Sequence, residues 1–535
     1  VTYAVFKKTE TIYPLWLAVL LVLLPGSLVP LYAPRSGFAI STTASVFGLF
    51  WMTIIACVTV YRTSPWHPLA KYPGPFVCKL TKFHLAFLSL TGGQHRYYRQ
   101  LHEKYGDVVR TGPNELSLRD ASVVTDLLGI NGLPKSSFWD GRIPPGEKPL
   151  IAIKDKKEHS RRRRPWNRAF APSALKGYEE IVTRRALQLR DELSKRVTQS
   201  VDLATWFSYF SYDVMNDLAF GGGSEMMKFG DINKLWHLLE ASQKSAIFLS
   251  HVPWLGQLVY RIPFCANQLK AFRVYARGRA MSRRRDGSSS KDIFYHLIDE
   301  DGVALQPPTM HEIISDGALA IVAGSDTVST AASHAFYFLV SNPTKLQRLQ
   351  EEIKTLGDDL LDCTRQSQLP YLNAVIQESL RLLPPVLTGS LRSTTGDNGG
   401  QMIGKYYIPA GTTAFMATYS LHRDARCFSP LPDTFLPERW LSEDMRTLLE
   451  PEIFKASDAF VLDQSAFIPF SAGPANCVGK NLGWMELRML ITTLAHKFNF
   501  SFDPQYRHTK WCDDVKDFFV TVKGELPVIM TTRES

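Results

Sequence analysis

Cysteine is scarce in this 535-residue chain: Cys57, Cys78, Cys265, Cys363, Cys427, Cys477 and Cys512 are odd in number, scattered, and form no C-x-x-C pair. Such spacing offers neither a disulfide framework nor a zinc site, and it fits a reducing, cytosol-facing compartment. A G-x-x-x-x-G-K-[ST] loop is missing, which sets aside nucleotide phosphate chemistry. Repeats and low-complexity tracts are also missing. Only 21% of residues are charged against 45% hydrophobic, so a large packed core is expected rather than disorder. Length leaves the domain count open. The formal charge of +10 suits an anionic membrane surface, an acidic protein partner or nucleic acid, and the sign alone does not choose.

Charge is absent from two N-terminal runs, Thr11 to Pro34 and Phe38 to Tyr61. Each is long enough at 1.5 Å per residue to cross a hydrocarbon core of ~30 Å. Pro25, Gly26 and Pro30 interrupt the first, so the second is the stronger span and the first could be re-entrant or interfacial. Lys7, Lys8, Arg62 and Lys71 flank the pair, which predicts a hairpin with both ends cytosolic. No small-x-small cleavage site clearly follows the first run, so an uncleaved anchor is expected. Residues 1–62 therefore read as a membrane anchor of one or two transmembrane segments. Residues 63–75, with Pro65, Pro68, Pro73, Gly74 and Pro75, read as a stiff linker, and 76–535 as the catalytic domain. Helical patterns dominate that domain until Gly389 to Thr413, where β-type and turn residues take over, and Asp517 to Met530 reads as a strand pair around Lys523-Gly524. The fold class is mainly α with small β-sheets.

The most informative segment is Phe467 to Arg488, FIPFSAGPANCVGKNLGWMELR. Cys477 sits between Gly473 and Gly479 in a loop that runs into an amphipathic helix from about Lys480. Glycines allow close approach to a flat ligand, and a helix N-terminus aims N–H groups at the sulfur and favours a thiolate. A thiolate bound to haem iron donates electron density that promotes O–O cleavage. Alone, a buried cysteine is usually a small hydrophobe.

Its surroundings decide otherwise, because Phe470-x-x-Gly473-x-x-x-Cys477-x-Gly479 resembles the haem-binding signature of the cytochrome P450 family. Glu378-Ser-Leu-Arg381 lies in a helical pattern whose i, i+3 spacing puts the two charges on one face. Arg439, in Pro437-Glu438-Arg439-Trp440, would complete the family's structural ion cluster. A long helical run opened by the capping-box pattern Thr309-x-x-Glu312 carries Ala323-Gly324-Ser325-Asp326-Thr327. Gly324 within a helix suggests room for a small ligand such as O2, with close helix packing as the alternative. The segment resembles the family's oxygen-activating motif, which implies catalytic roles for Asp326 and Thr327 in proton delivery.

His159-x-x-x-Arg163 matches the helix where the family commonly has Trp-x-x-x-Arg at a haem propionate, with His159 in place of tryptophan. The run Arg161 to Arg164 also has the look of a nucleic-acid patch or a solvated face. The reading preferred here sends Arg163 toward haem and some of Arg161, Arg162 and Arg164 toward an acidic reductase, with no nucleic-acid partner. Ala475 departs from the family, which usually has a propionate-binding arginine there; Arg392, in VLTGSLR, is the candidate substitute.

Further segments, YGDVVRTGPNELS (Tyr105 to Ser117), NDLAFGGG (Asn216 to Gly223) and KDIFYHL (Lys291 to Leu297), resemble fungal microsomal members of secondary metabolism, including a tryprostatin-hydroxylase-like branch. The resemblance implies the cytochrome P450 fold, haem b on Cys477, and electrons from NADPH through NADPH-cytochrome P450 reductase. It also implies one oxygen atom of O2 inserted into an apolar small molecule, a terpenoid or indole-type metabolite, at the cytosolic face of the endoplasmic reticulum membrane. Family pocket segments point to Phe138, Trp139, Ala323, Val328, Val386, Leu387, Phe518 and Phe519 as lining. Two rival readings are a haem-thiolate isomerase or dehydratase that needs no reductase, and a non-enzymatic membrane haem carrier or sensor.

Overall fold

A computed structural model of the chain describes residues 1–8, 13–36, 40–144, 146, 148–232, 234–262, 267–287, 291–395, 399–455 and 460–533. Over their described residues both uncharged runs are helical from Pro14 and from Ile40 onward. Leu15–Tyr32 and Ile40–Thr63 are long and apolar enough to cross a membrane, and little of either is buried inside the protein. The prolines do not break the first: Pro14–Ala18 passes through a π-helical stretch, Val19–Leu23, into Leu24–Ser36. The wide turn just ahead of Pro25 relaxes the ladder where its ring enters, an adjustment apolar helices tolerate.

The proline-rich segment is docked on the domain that follows. Leu69 and Tyr72 are buried among the strands of the first sheet. The Pro73 carbonyl accepts the Arg110 N–H at 2.7 Å, and Gly74 lies so close to the Arg110 carbonyl that a Cβ would collide with it.

The catalytic domain is built around the helix Met310–Ser341. Its capping box is formed: Thr309 Oγ1 accepts the Glu312 N–H at 3.3 Å, and Glu312 Oε2 accepts the Thr309 N–H at 2.8 Å. It ends before Pro343, which opens the next helix, Pro343–Lys354. The helix Leu203–Phe220, buried nearly all round, packs along it. At Gly324 a Cβ would strike the Met215 thioether of that helix, so the glycine serves the packing of the two. The helix Lys480–Lys497 packs on Pro172–Ser194 and Pro343–Lys354 and meets the central helix on one side.

Small sheets flank this bundle. The largest orders its strands Val108–Gly112, Glu115–Leu118, Thr413–Met416 and Arg392–Ser393, with one parallel pairing between Glu115–Leu118 and Thr413–Met416. The C-terminal stretch differs from the sequence expectation. Its hairpin pairs Lys516–Phe518 with Val520–Val522 and turns at Phe519, not at Lys523-Gly524. The later strand, Pro527–Thr532, joins Phe498–Phe502 and Ser200–Asp202 in a separate sheet. Phe519 turns with φ +83°, a conformation an aromatic residue gives no sign of in sequence.

Candidate active site

The loop before Lys480–Lys497 holds Cys477 with its side chain open to an internal cavity. Its backbone N–H donates to the Phe470 carbonyl at 2.9 Å, and Phe470 also lines the cavity. Gly473 has φ +69° and presses on the Leu128 carbonyl, where a Cβ would collide, so this turn requires glycine. Gly479 has an ordinary φ and caps the helix. Burial pushes the Cys477 thiol up; the Gly479 N–H, then the charges of Arg163 and Lys480, oppose that push and favour the thiolate.

Across the cavity the central helix presents Ala323, Gly324, Thr327 and Val328. Thr327 Oγ1 donates to the Ala323 carbonyl at 2.7 Å, which leaves its acceptor lone pairs unused by that bond. Asp326 is buried beside this wall but does not line it. Burial pushes its carboxyl up to about 7; Lys523 pulls it down and Glu240 adds to the rise. Lys523 Nζ donates to Ser208 Oγ at 3.0 Å and Ser329 Oγ at 3.1 Å, one turn from Asp326. The alternative of a solvent-exposed Asp326 is excluded by its 5% exposure.

One end of the cavity is basic. His159, Arg163 and Lys135 line it, and Arg392 lies behind Lys135, to which it is joined by a β-bridge. Lys135 carried no signal in sequence, being a single lysine between apolar runs. Burial, then the charges of Arg392 and Arg163, push its amine down to about 7, and burial pushes His159 down to about 4. Arg392 is buried, its Nε and Nη2 have no hydrogen-bond partner among the described residues, and burial pushes it down to about 10. Buried donors in this state call for an anion. A cysteine open to the cavity and these nearby cations would suit a haem, with Cys477 able to hold its iron and Lys135 and Arg392 able to meet its carboxylates. Arg163 lines the cavity, and its guanidinium also donates to the Asn476 carbonyl at 2.8 Å and Asn476 Oδ1 at 3.0 Å, holding the loop that carries Cys477. Arg392→Ala is expected to speed haem transfer to an apo-acceptor by about tenfold, the loss of a charged hydrogen bond. Adding Ala475→Arg should recover part of it, and equal rates in all variants would refute the substitution.

Arg161 pairs with Glu158 and Glu312 and stays partly exposed, Arg162 is buried against Asp316 and Glu312, and Arg164 is the exposed member of the run. Acidic residues on the central helix, remote in sequence, consume those charges. Of the expected lining, Ala323, Val328, Val386 and Phe519 do face the cavity. Phe138, Trp139, Leu387 and Phe518 are buried in the core around it.

Behind the cysteine loop, Glu378 and Arg381 come together with Arg439, all at 0% exposure. Glu378 accepts two bonds from Arg381 at 2.8 Å, one from Arg439 Nε at 3.2 Å, and others from Trp440 Nε1 and the Leu436 N–H. Arg381 Nη1 donates to the His422 carbonyl at 2.6 Å, and His422 Nε2 accepts the Ile468 N–H at 3.0 Å. The cluster thus reaches the loop of Cys477 through His422, a residue with no motif around it.

Compared with known proteins, residues 70–521 match the family described as Cytochrome P450. Among curated proteins, the chain is 33% identical over 503 residues to "Cytochrome P450 monooxygenase FCK2" of Fusarium pseudograminearum, covering 92% of this chain and 87% of that one. It is 32% identical to "Cytochrome P450 67" of Uromyces fabae, covering 85% of each. It is 29% identical to "Tryprostatin B 6-hydroxylase" of Neosartorya fischeri, covering 94% of this chain and 89% of that one.

Proposed function

The chain belongs to the cytochrome P450 family and is a monooxygenase, and from that premise we propose that it hydroxylates an apolar fungal secondary metabolite in the cavity between Cys477 and Thr327. One observation carries this reading: a cysteine at a helix N-terminus and a helix hydroxyl, far apart in sequence, face each other across one largely apolar space. The haem, when bound, supplies O2 activation and oxidation of the substrate. In this proposal Cys477 would hold the iron through its thiolate, and Lys135, His159, Arg163 and Arg392 would hold the propionates.

The protein's own share of the chemistry is proton placement and exclusion of water. Thr327 offers a hydroxyl inside the cavity, and Asp326, with a carboxyl at about 7, exchanges a proton near neutral pH from just behind it. Apolar walls such as Val328, Val386 and Phe519 desolvate a nonpolar substrate, and a terpenoid or indole skeleton fits that character. Electrons are assigned to NADPH through NADPH-cytochrome P450 reductase, with the catalytic domain on the cytosolic face of the endoplasmic reticulum and the N-terminal helices in its membrane.

Thr327→Ala tests the proton role. NADPH consumption should persist while product per NADPH falls by about tenfold, ~1.4 kcal/mol of lost differential stabilisation, with hydrogen peroxide released instead. Unchanged coupling would make Thr327 structural. An isomerase or dehydratase would turn over without NADPH, and a haem carrier or sensor would oxidise no NADPH even with reductase present.

A further inference from the structure

The hairpin of Lys516–Phe518 and Val520–Val522 turns on Phe519, whose φ of +83° is unfavourable for any residue with a side chain. Such a conformation persists only when its surroundings hold it. Here the peptide unit joining Phe518 to Phe519 is held at both ends. Its N–H donates to Asp517 Oδ1 at 3.1 Å, and its carbonyl accepts from Arg142 Nη1 at 3.0 Å. An anion and a cation therefore fix opposite ends of one peptide plane.

Both holders are anchored in turn. Asp517 is fully buried and accepts the Thr388 hydroxyl; its N–H donates to the Gly92 carbonyl at 2.8 Å. Arg142 also donates to Gln243 Oε1, and its carbonyl accepts the Tyr260 hydroxyl at 2.7 Å. Its guanidinium lies 5.6 Å from the ring centre of Phe519, 5.7 Å from that of Trp139 and 6.0 Å from that of Phe138. Burial pushes the Asp517 carboxyl up to about 6, and Arg142 is among the groups that oppose this. The Phe519 ring itself forms part of the cavity wall shared by Cys477 and Thr327.

Turning this peptide over would take Phe519 out of the left-handed region and loosen the turn that carries its ring, at the loss of both charge-assisted bonds together. We propose that Arg142, with Asp517, is a specificity-determining clamp that pins the Phe518–Phe519 peptide and so holds the Phe519 ring in the cavity, narrowing the substrate side. Arg142 acts through Phe519 and is a positioning residue. The inference rests on the cavity being the haem and substrate site.

The test uses the full-length holoenzyme in membranes, titrated with imidazole and with 4-phenylimidazole, each followed by the change in haem absorption. Arg142→Gln should shift the affinity ratio about tenfold toward the larger probe, and Arg142→Lys, which keeps the charge without the planar fork, should restore part of it. Phe519→Gly should shift the ratio at least as far, and Arg142→Gln should add nothing on that background. A ratio that stays constant in Arg142→Gln while thermal stability falls would reduce Arg142 to a core residue and overturn the clamp, as would additive effects of the two substitutions. Asp517→Asn, which removes only charge, should shift the ratio the same way and carries the test if Arg142→Gln loses haem. If neither probe alters the spectrum of the unsubstituted holoenzyme, the cavity reading falls and the clamp with it, a result distinct from a ratio that ignores Arg142.

Discussion

Replacing Cys477 with histidine is expected to leave a protein that retains some haem, loses monooxygenation, and lacks the red-shifted absorption of the reduced carbon monoxide complex. The expectation follows from what surrounds the sulfur. Cys477 opens on the cavity, so a larger side chain has somewhere to go, and the Gly473 turn and the Phe470 hydrogen bond that shape the loop involve backbone alone. The basic end at Lys135 and Arg392 is untouched and should still hold the haem carboxylates. What would disappear is the thiolate proposed for Cys477, which would donate charge to a bound iron and toward which the Gly479 N–H, Arg163 and Lys480 act against burial. Activity should fall to background. An unchanged carbon monoxide spectrum would show that another residue binds the iron.

Glu378→Ala is expected to be among the most destabilising single changes in the chain. It would leave Arg381 and Arg439 as buried cations without their carboxylate, a situation that typically costs about 3–5 kcal/mol. Trp440 and the Leu436 N–H would lose their acceptor as well. Because Arg381 is tied to His422, and His422 to Ile468, the loop of Cys477 should loosen, and haem loss should accompany the fall in unfolding temperature. The pH dependence has a definite sign. Burial alone would raise the Glu378 carboxyl, but Arg381 and Arg439 reverse that and hold it at about 2, below its ordinary 4.5. The stability it contributes is therefore fully present above about pH 4.5 and is lost as pH falls toward about 2. Unfolding followed against pH should show that loss in the unsubstituted protein and much less of it in Glu378→Ala. Equal acid sensitivity in both would contradict the cluster's role.

The capping box, the cysteine loop and the E-x-x-R helix were legible in sequence because each depends on spacing within one element. Thr309 and Glu312 need only be three residues apart, as do Glu378 and Arg381. What escaped depends on partners supplied from elsewhere. Arg161 and Arg162 look like a free basic patch until Glu312 and Asp316 arrive on the central helix. Lys135 becomes part of the site only when its segment bridges to Arg392, some 250 residues on. The hairpin was placed around Lys523-Gly524 because glycine and lysine are ordinary turn residues, whereas the actual turn forces φ +83° on Phe519 and depends on Arg142 and Asp517 to hold it. Gly324 reads in sequence as space for a ligand or space for a helix, and in the fold it both packs on Met215 and lines the cavity.

The account as a whole is tested most directly by tracing oxygen. Microsomes containing this chain and a P450 reductase would be given NADPH, isotopically labelled O2 and a panel of terpenoid and indole-type compounds, and the products weighed by mass spectrometry. The account predicts product only with NADPH, carrying one oxygen atom from O2 and none from water at the oxidised carbon. Product that forms without NADPH, or whose new oxygen comes from water, would contradict it.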